Sequence, residues 1–220
     1  MVKTAVLVSG GGTNLQAILD ANLFGELGNC ELTAVISSSL EAYAVTRANS
    51  AGIPVYIIER DIFPNRESFC EAIIKKLHDL DIELVVLAGF AYEPSIALIR
   101  EYENKIINIY SSLMPAFCSS EFPEAEIQTA VIERGVKITG ATAYFVAPTL
   151  EESRIIMQHA VPVFDTDTPA TLQQRVLEEA EWPLLPKVIA LYCNDRLEID
   201  GIKVRIKPEE TPATETPEEE

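Results

Sequence analysis

The chain has 220 residues, of which 48% are hydrophobic, and its formal net charge is −17 at pH 7. This length suits one large α/β domain or two small ones that share a sheet, and no apolar stretch is long enough to predict a transmembrane helix. The acidic balance argues against nucleic acid as a partner, because phosphate contacts need clustered lysine and arginine. The first residues carry no secretory signal pattern, so the chain is expected to be cytoplasmic.

Strand and helix patterns alternate at short intervals in the first half of the chain. Apolar runs predict strands over residues 4–8, 32–37, 55–58, 84–87 and 105–109. Apolar residues at helical spacing predict helices over residues 14–21, 41–51 and 66–80. Alternation of this kind predicts an α/β protein with a doubly wound, mostly parallel sheet.

The pattern changes after residue 109. A long irregular stretch over 111–123 precedes a predicted helix over 124–134. Strands predicted over 139–146 and 155–163 leave little room for a crossover helix between them. They are therefore predicted to pair antiparallel, as an addition to the parallel sheet.

The remaining elements are a helix, a hairpin and a tail. Residues 168–192 are predicted to be largely helical, with Pro183 and Pro186 disturbing the second half. A hairpin over 196–206 is predicted to turn at Asp200 and Gly201. Residues 208–220 hold six glutamates and no basic residue, so a disordered acidic tail is expected there.

The cysteines and histidines suggest neither a disulfide nor a metal site. Four cysteines occur without a C-x-x-C pair: Cys30, Cys70, Cys118 and Cys193. They are interpreted as reduced, isolated thiols. Neither His78 nor His159 is spaced from a cysteine as metal ligands usually are, so no metal is expected.

The first predicted strand runs directly into the turn Ser9-Gly10-Gly11-Gly12-Thr13-Asn14. A glycine-rich turn of this kind brings backbone N–H groups to an anion at a helix N-terminus. The Thr13 hydroxyl adds a donor, and Asn14 can cap the helix or donate to a phosphate oxygen. Such glycines also make tight turns in proteins that bind nothing. The position at the carboxyl edge of the sheet nevertheless favours a phosphate site formed by Gly11, Gly12, Thr13 and Asn14.

Dinucleotides and ATP fit this turn less well than a small phosphate monoester. A dinucleotide site needs a third glycine, where the chain has Leu15, and an acidic residue after the second strand, where it has Ser37-Ser38-Ser39. No lysine follows the turn as it does in ATP-binding loops. A dehydrogenase is therefore disfavoured.

Several segments together resemble the phosphoribosylglycinamide formyltransferase family. They are residues 8–18, 86–90, 107–109, 135–142, 144–146, 160–163 and 175–178, and the resemblance covers roughly residues 3–195. It implies a Rossmann-like fold of the formyltransferase type, with a mononucleotide-binding half over 1–109 and a folate half over 110–207 on the same sheet. It also implies formyl transfer from 10-formyltetrahydrofolate, as co-substrate, to glycinamide ribonucleotide in purine biosynthesis.

The resemblance implies binding roles for residues of both halves. Gly12, Thr13 and Asn14 match the family's phosphate turn. Glu181 matches an acidic residue that contacts the ribonucleotide, although Pro183 beside it departs from the pattern.

On the folate side, Arg66 matches a basic residue near the phosphate or the folate tail. The resemblance also implies a folate wall formed by Phe90, Ala91, Tyr92 and Val146, although residues 91–94 depart from the usual run. Core packing is an equally open interpretation of Phe90 and Val146.

The catalytic residues implied by the family are only partly present. The family uses an asparagine, a histidine two residues later and an aspartate from the second half. Asn108 matches the asparagine, whereas Tyr110 stands at the histidine position and Glu151 at the aspartate position. Tyr110-Ser111-Ser112 replaces His-Pro-Ser, and Glu152-Ser153-Arg154 replaces Gly-Gly-Pro or a similar run. Residues 119–124 replace a glycine-containing run.

These replacements leave two hypotheses open. Formyl transfer develops an oxyanion and moves a proton, and a tyrosine hydroxyl, with an ordinary pKa of about 10, is a poor proton carrier near neutrality. The first is a working formyltransferase, or a relative that performs another transfer on a phosphoribosyl amine with Tyr110 and Glu151 in new roles. The second is a degenerate paralogue that binds a phosphorylated ligand or a protein partner without catalysis. The lost histidine favours the second hypothesis, and Asn108 and the acidic Glu151 favour the first. The sequence leaves the oligomeric state open.

Overall fold

A seven-stranded sheet forms the centre of the protein, which the computed structural model describes over residues 1–118 and 126–208. Its strands are β1 (Val2–Val8), β2 (Cys30–Ser37), β3 (Val55–Ile57), β4 (Leu84–Leu87), β5 (Ile106–Tyr110), β6 (Ile138–Phe145) and β7 (Arg154–Pro162). Their spatial order is β3-β2-β1-β4-β5-β6-β7. Neighbours among the first five strands pair parallel, whereas β6 pairs antiparallel with β5 and with β7. The predicted mostly parallel sheet with antiparallel additions is confirmed.

Helices cover both faces of this sheet. They are α1 (Thr13–Leu23), α2 (Tyr43–Ser50), α3 (Arg66–Asp79), α4 (Ile96–Glu101), α5 (Ile127–Glu133), α6 (Pro169–Arg175) and α7 (Trp182–Cys193). A 3-10 turn at Arg60–Ile62 precedes α3, and a π-helical turn at Val176–Glu181 joins α6 to α7. The hairpin of β8 (Leu197–Asp200) and β9 (Lys203–Ile206) forms a separate two-stranded sheet.

The core is divided by the sheet into two clusters. Because successive side chains of a strand point to opposite faces, Val6 and Val8 of β1 pack with α1, α2, α5, α6 and α7, whereas Ala5 and Leu7 pack with α3 and α4. Strands covered on both faces read as continuous apolar runs. This explains why β4 is buried along its whole length.

The structure differs from the sequence-based expectation at three local features. The short helix α4 is not predicted, because its two buried residues, Leu98 and Ile99, make too little periodic pattern. Pro183 lies in the first turn of α7, directly after the π-helical turn that ends at Glu181, and α7 continues through Pro186. The hairpin turn has Gly201 at φ 62° and lies between the paired residues Asp200 and Lys203, so Asp200 belongs to β8.

Two predictions fall partly or wholly outside the described residues. The predicted helix over 124–134 is observed from Ile127 onward, while residues 119–125 lie outside the description. The predicted disordered tail also lies outside it, apart from residue 208. Within the described ranges, no helix combines the length and apolarity needed to cross a membrane.

Candidate nucleotide and formyl-transfer site

The carboxyl ends of β1, β2 and β4 are tied together by Ser9, which directly follows β1. The Ser9 N–H donates to the carbonyl oxygen of Gly89 at 3.1 Å. The Ser9 hydroxyl oxygen accepts from the Ser38 hydroxyl at 2.7 Å and from the N–H of Ala91 at 2.9 Å. These bonds hold three loops at the edge of the sheet that carries the predicted site residues, with Ala91 exposed there.

The glycine turn is built around a close approach of α2. Gly12 has φ 71°, a conformation that favours glycine, and a Cβ added to it would lie 2.7 Å from the Cβ of Ala44. Arg47 of α2 donates its Nε–H to the carbonyl oxygen of Gly11 at 2.9 Å. Helix α1 then begins at the exposed Thr13. Because the first N–H groups of a helix have no intrahelical acceptor, this end of α1 can bind an anion.

Asn14 does not cap α1, because Gly12 occupies the cap position. The Asn14 side chain is buried and donates from Nδ2 to Oε2 of Glu181 at 2.8 Å. The Ser111 hydroxyl donates to the other carboxylate oxygen, Oε1, at 2.6 Å. Gln128 of α5 donates from Nε2 to the carbonyl oxygen of Ser111 at 2.8 Å. A buried carboxylate therefore lies beside the first turn of α1.

Asn108 is held by its direct neighbour on the adjacent strand. Asn108 of β5 pairs with Tyr144 of β6 and donates from Nδ2 to the Tyr144 hydroxyl oxygen at 2.9 Å. The Asn108 Oδ1 accepts from the N–H of Ile109 at 2.9 Å. The amide is fixed in orientation, and the bond to Tyr144 uses one of the two N–H groups on Nδ2.

Tyr110 makes a bond that a catalytic donor would have to give up. Its hydroxyl donates to the carbonyl oxygen of Phe117 at 3.0 Å. The loop after β5 is itself anchored, because Thr142 donates to the carbonyl oxygen of Ser112 at 2.7 Å and Gln158 donates to that of Met114 at 2.9 Å. A tyrosine hydroxyl has one proton, and here that proton is directed to the protein backbone.

Glu151 lies in the exposed connection between β6 and β7, where it lines a cleft of about 460 Å³ together with Val146. Arg154 closes one side of this cleft by donating to the carbonyl oxygen of Gly201 at 2.8 Å and to Oδ1 of Asn104 at 3.0 Å. Neither Asn108 nor Tyr110 is among the lining residues. Glu151 therefore shares this cleft with Val146, and the cleft does not include the other two residues predicted to be catalytic.

The remaining residues predicted to bind folate lie at the edge of the α3–α4 core. The Phe90 ring stacks on Phe69 at a centroid distance of 6.1 Å, and Tyr92 meets Phe69 edge-on at 5.5 Å. Phe90 and Tyr92 are half-buried. This degree of burial is compatible both with a folate-binding surface and with packing at the edge of the core. Arg66 begins α3 on the surface and pairs with Glu93 at 3.2 Å.

All four cysteines are free thiols. The neighbouring Cys30 thiol, together with burial, raises the pKa of Cys193. The Cys30 thiol also donates to the hydroxyl oxygen of Thr4 at 3.2 Å. Over residues 1–118 and 126–208, no three His, Cys, Asp or Glu side chains are grouped as metal ligands would be.

Four contributors to the site are not predicted from the sequence: Arg47, Ser111, Gln128 and Tyr144. Ser111 and Tyr144 could have been singled out from the sequence, because each lies within or beside a segment that resembles the family. Arg47 and Gln128 act through bonds to backbone carbonyls of distant loops, and such bonds leave no local pattern.

Comparison with known proteins identifies the family of the chain. Residues 2–189 match the family model described as formyl transferase. A glycinamide ribonucleotide transformylase from Symbiobacterium toebii superposes with a TM-score of 0.88 at 38% identity, covering 94% of this chain and 95% of that one.

Two curated relatives match over nearly the same length of this chain. The phosphoribosylglycinamide formyltransferase of Haemophilus influenzae is 33% identical over 199 residues, which is 90% of this chain and 91% of that protein. The trifunctional purine biosynthetic protein adenosine-3 of Gallus gallus is 35% identical over 198 residues, but the chain spans only 19% of that protein's length. The agreement of the family model, the fold and the full-length relative confirms the resemblance seen in the sequence, and the chain belongs to the phosphoribosylglycinamide formyltransferase family.

Proposed function

We propose that this chain binds glycinamide ribonucleotide and transfers a formyl group to its amine from 10-formyltetrahydrofolate, at a rate limited by the replaced catalytic residues. The observation that carries the proposal is the buried Asn14–Glu181 pair directly behind the glycine turn. The names of the Haemophilus and Symbiobacterium relatives support the same substrate.

The nucleotide end of the site divides into two parts of opposite character. The glycine turn and the N-terminus of α1 offer N–H donors and positive potential, which suit the phosphate. Glu181 offers carboxylate oxygens, which would repel a phosphate but accept hydrogen bonds from ribose hydroxyls. A phosphorylated ribose matches both parts at once, and a free anion matches only the first.

For the transfer itself, Asn108 is the residue that stabilises the developing charge. The substrate amine attacks the formyl carbon, the carbonyl oxygen becomes an oxyanion, and the Asn108 amide donates to it. Collapse of this intermediate breaks the bond between the formyl carbon and N10 of the folate, and the proton lost by the amine passes to N10 of the leaving tetrahydrofolate. Tyr110 directs its proton to Phe117 and so supplies neither an imidazole nor a ready donor. Loss of a general acid–base group typically costs about 10²–10⁴ in rate, so slow transfer is expected.

The co-substrate would contact the second half of the chain. The cleft beside Val146 and Glu151, about 460 Å³, has a volume typical of small-molecule sites. Phe90 and Tyr92 present half-buried rings, and with Ala91 and the cationic Arg66 they complete the proposed folate contacts.

A second candidate is a binding protein without catalysis. It is favoured by the bond between Tyr110 and Phe117 and by the position of Glu151 in a cleft that does not include Asn108. On this alternative the nucleotide site is intact, and no formyl transfer occurs.

Thermal-shift measurements with glycinamide ribonucleotide and with a folate analogue, followed by a formyl-transfer assay, separate the candidates. We expect both ligands to raise the melting temperature and turnover to be slow but measurable. A shift with the nucleotide alone and no turnover would establish the second candidate, and no shift with either ligand would overturn both.

A matched pair of variants tests the phosphate turn. Thr13→Val removes a hydroxyl at the start of α1 and is expected to weaken nucleotide binding. Thr46→Val makes the same change at an exposed position of α2 and should leave binding unchanged.

A further inference from the structure

We propose that Ser111 is a positioning residue for the ribonucleotide, because its hydroxyl holds the Glu181 carboxylate in the orientation in which it and Asn14 receive the ribose hydroxyls. This inference rests on the proposed function. The Ser111 contact is made by this chain where the family resemblance implies a proline, which has no hydroxyl and no such bond.

The carboxylate of Glu181 depends on its two donors. Only 3% of the residue is exposed, and a buried carboxylate is costly unless hydrogen bonds satisfy it. Asn14 donates to Oε2 at 2.8 Å and Ser111 to Oε1 at 2.6 Å, so each oxygen has a donor on a different segment of the chain. With both bonds made, rotation about the terminal bond of Glu181 would break both.

The same geometry determines what Asn14 offers to a ligand. If its amide were reversed, Oδ1 would face a carboxylate oxygen and repel it, so Nδ2 must be the atom at 2.8 Å. The Asn14 Oδ1 is then left buried without a hydrogen-bond partner among the described residues. Buried acceptors in proteins normally have a donor. A ribose hydroxyl, which can donate to Oδ1 or to the carboxylate, would provide one.

Ser111 is itself held from a third segment. Its carbonyl oxygen accepts from Nε2 of Gln128 at 2.8 Å, and Gln128 is buried on α5. The hydroxyl of Ser111 is therefore presented to Glu181 by an anchored backbone. This pre-organisation lowers the ordering cost of binding.

The test is titration calorimetry of the full chain with glycinamide ribonucleotide. Ser111→Ala is expected to raise Kd about tenfold, because a hydrogen bond to a charged group is lost, and Ser111→Thr, which keeps the hydroxyl, is expected to restore most of the affinity. Ser112→Ala is the matched control: this hydroxyl donates to the carbonyl oxygen of Ala116 at 2.6 Å and not to Glu181, so its removal should leave Kd close to that of the unmodified chain.

A double-mutant cycle separates positioning from loosening of the loop. If Ser111 acts through Glu181, Ser111→Ala should add less than about twofold to the Kd of Glu181→Gln. Equal effects of Ser111→Ala in both backgrounds, or an equal loss in Ser112→Ala, would overturn the inference while the proposed function stands. If the unmodified chain does not bind the nucleotide, both fail together.

Discussion

At the scale of single residues, the candidate site keeps the family's asparagine but has different side chains at the histidine and aspartate positions. Asn108 is fixed by Tyr144, whereas Tyr110 gives its proton to the backbone of Phe117. Asn108, Tyr110 and Glu151 are identified by the resemblance, but their partners are not. The sequence therefore predicts which residues to examine, and the hydrogen bonds decide what each is able to do.

The bond between Tyr144 and Asn108 leads to a prediction about catalysis. Tyr144→Phe removes the acceptor of the Asn108 amide, so the amide can rotate away from the oxyanion. We expect kcat for formyl transfer to fall about tenfold with KM for the nucleotide unchanged, since a lost neutral hydrogen bond is worth about 0.5–1.5 kcal/mol. Tyr192→Phe is the control, because this tyrosine packs edge-on against Phe145. An unchanged kcat in Tyr144→Phe would contradict the positioning of Asn108.

Restoring the family's side chains leads to a second prediction. In Tyr110→His with Glu151→Asp, an imidazole replaces a hydroxyl committed to Phe117, and we expect single-turnover formyl transfer to accelerate by about 10²-fold or more. The single variants identify which replacement matters. If the double variant is no faster than the unmodified chain, the limitation lies in residues 119–124 or in the folate contacts.

At the scale of elements, the sequence predicts helices and strands whose residues follow a local periodic pattern. It does not predict elements whose geometry depends on contacts with other parts of the fold. The apolar runs of β1 and β4 and the amphipathic α3 are found from sequence because each carries its own periodicity. The π-helical turn at Val176–Glu181 is not predicted, although it presents Glu181 to the site. The turn packs against β6 and β7, and its local signal is limited to Pro183, which follows it and removes one N–H from the helix.

The start of α6 is held by an ion pair whose strength depends on pH. The two terminal guanidinium nitrogens of Arg175, Nη1 and Nη2, each lie 2.7 Å from a carboxylate oxygen of Asp167. This pairing lowers the pKa of Asp167 to about 2. A carboxylate with a depressed folded-state pKa stabilises the fold above its unfolded value near 3.8, and that stability is lost as pH falls through 2.

Asp167→Asn is therefore expected to lower the melting temperature at pH 7, with a difference from the unmodified chain that shrinks between pH 4 and pH 2. Asp165→Asn is the matched control, because Asp165 pairs with Lys137 on the surface, where such pairs contribute little. Melting curves across pH measure both. A gap that stays constant down to pH 2 would show that the ionised pair is not the cause.

At the scale of the whole molecule, one sheet joins the two predicted halves, 1–109 and 110–207. The predicted boundary falls within β5, just before its last residue, Tyr110. β5 pairs with β6, and α1 of the first half packs in the same core cluster as α7 of the second. The division of the chain into two functional halves stays a prediction. The shared core indicates that they do not fold separately.

A single unfolding transition is therefore expected in urea. Trp182, the one tryptophan of the chain, reports on the α7 side by fluorescence, and far-UV circular dichroism reports on the whole sheet. The two curves should coincide, with one midpoint. Separate midpoints would show that the halves are independent units.

The sequence by itself determined the doubly wound sheet, the glycine turn after β1 and the family, because periodicity and the glycine run are local features of the chain. Only the tertiary structure decided the chemistry around them. Asn14 and Glu181 are 167 residues apart and Ser111 and Glu181 are 70 apart, so no local pattern records that they meet. The position of Glu151 in a cleft that does not include Asn108 and the bond from Tyr110 to Phe117 likewise depend on how strands and loops pack. Which side chains meet across such sequence distances depends on the packing of the whole fold. These hydrogen-bond partners determine what the residues shared with the family can do.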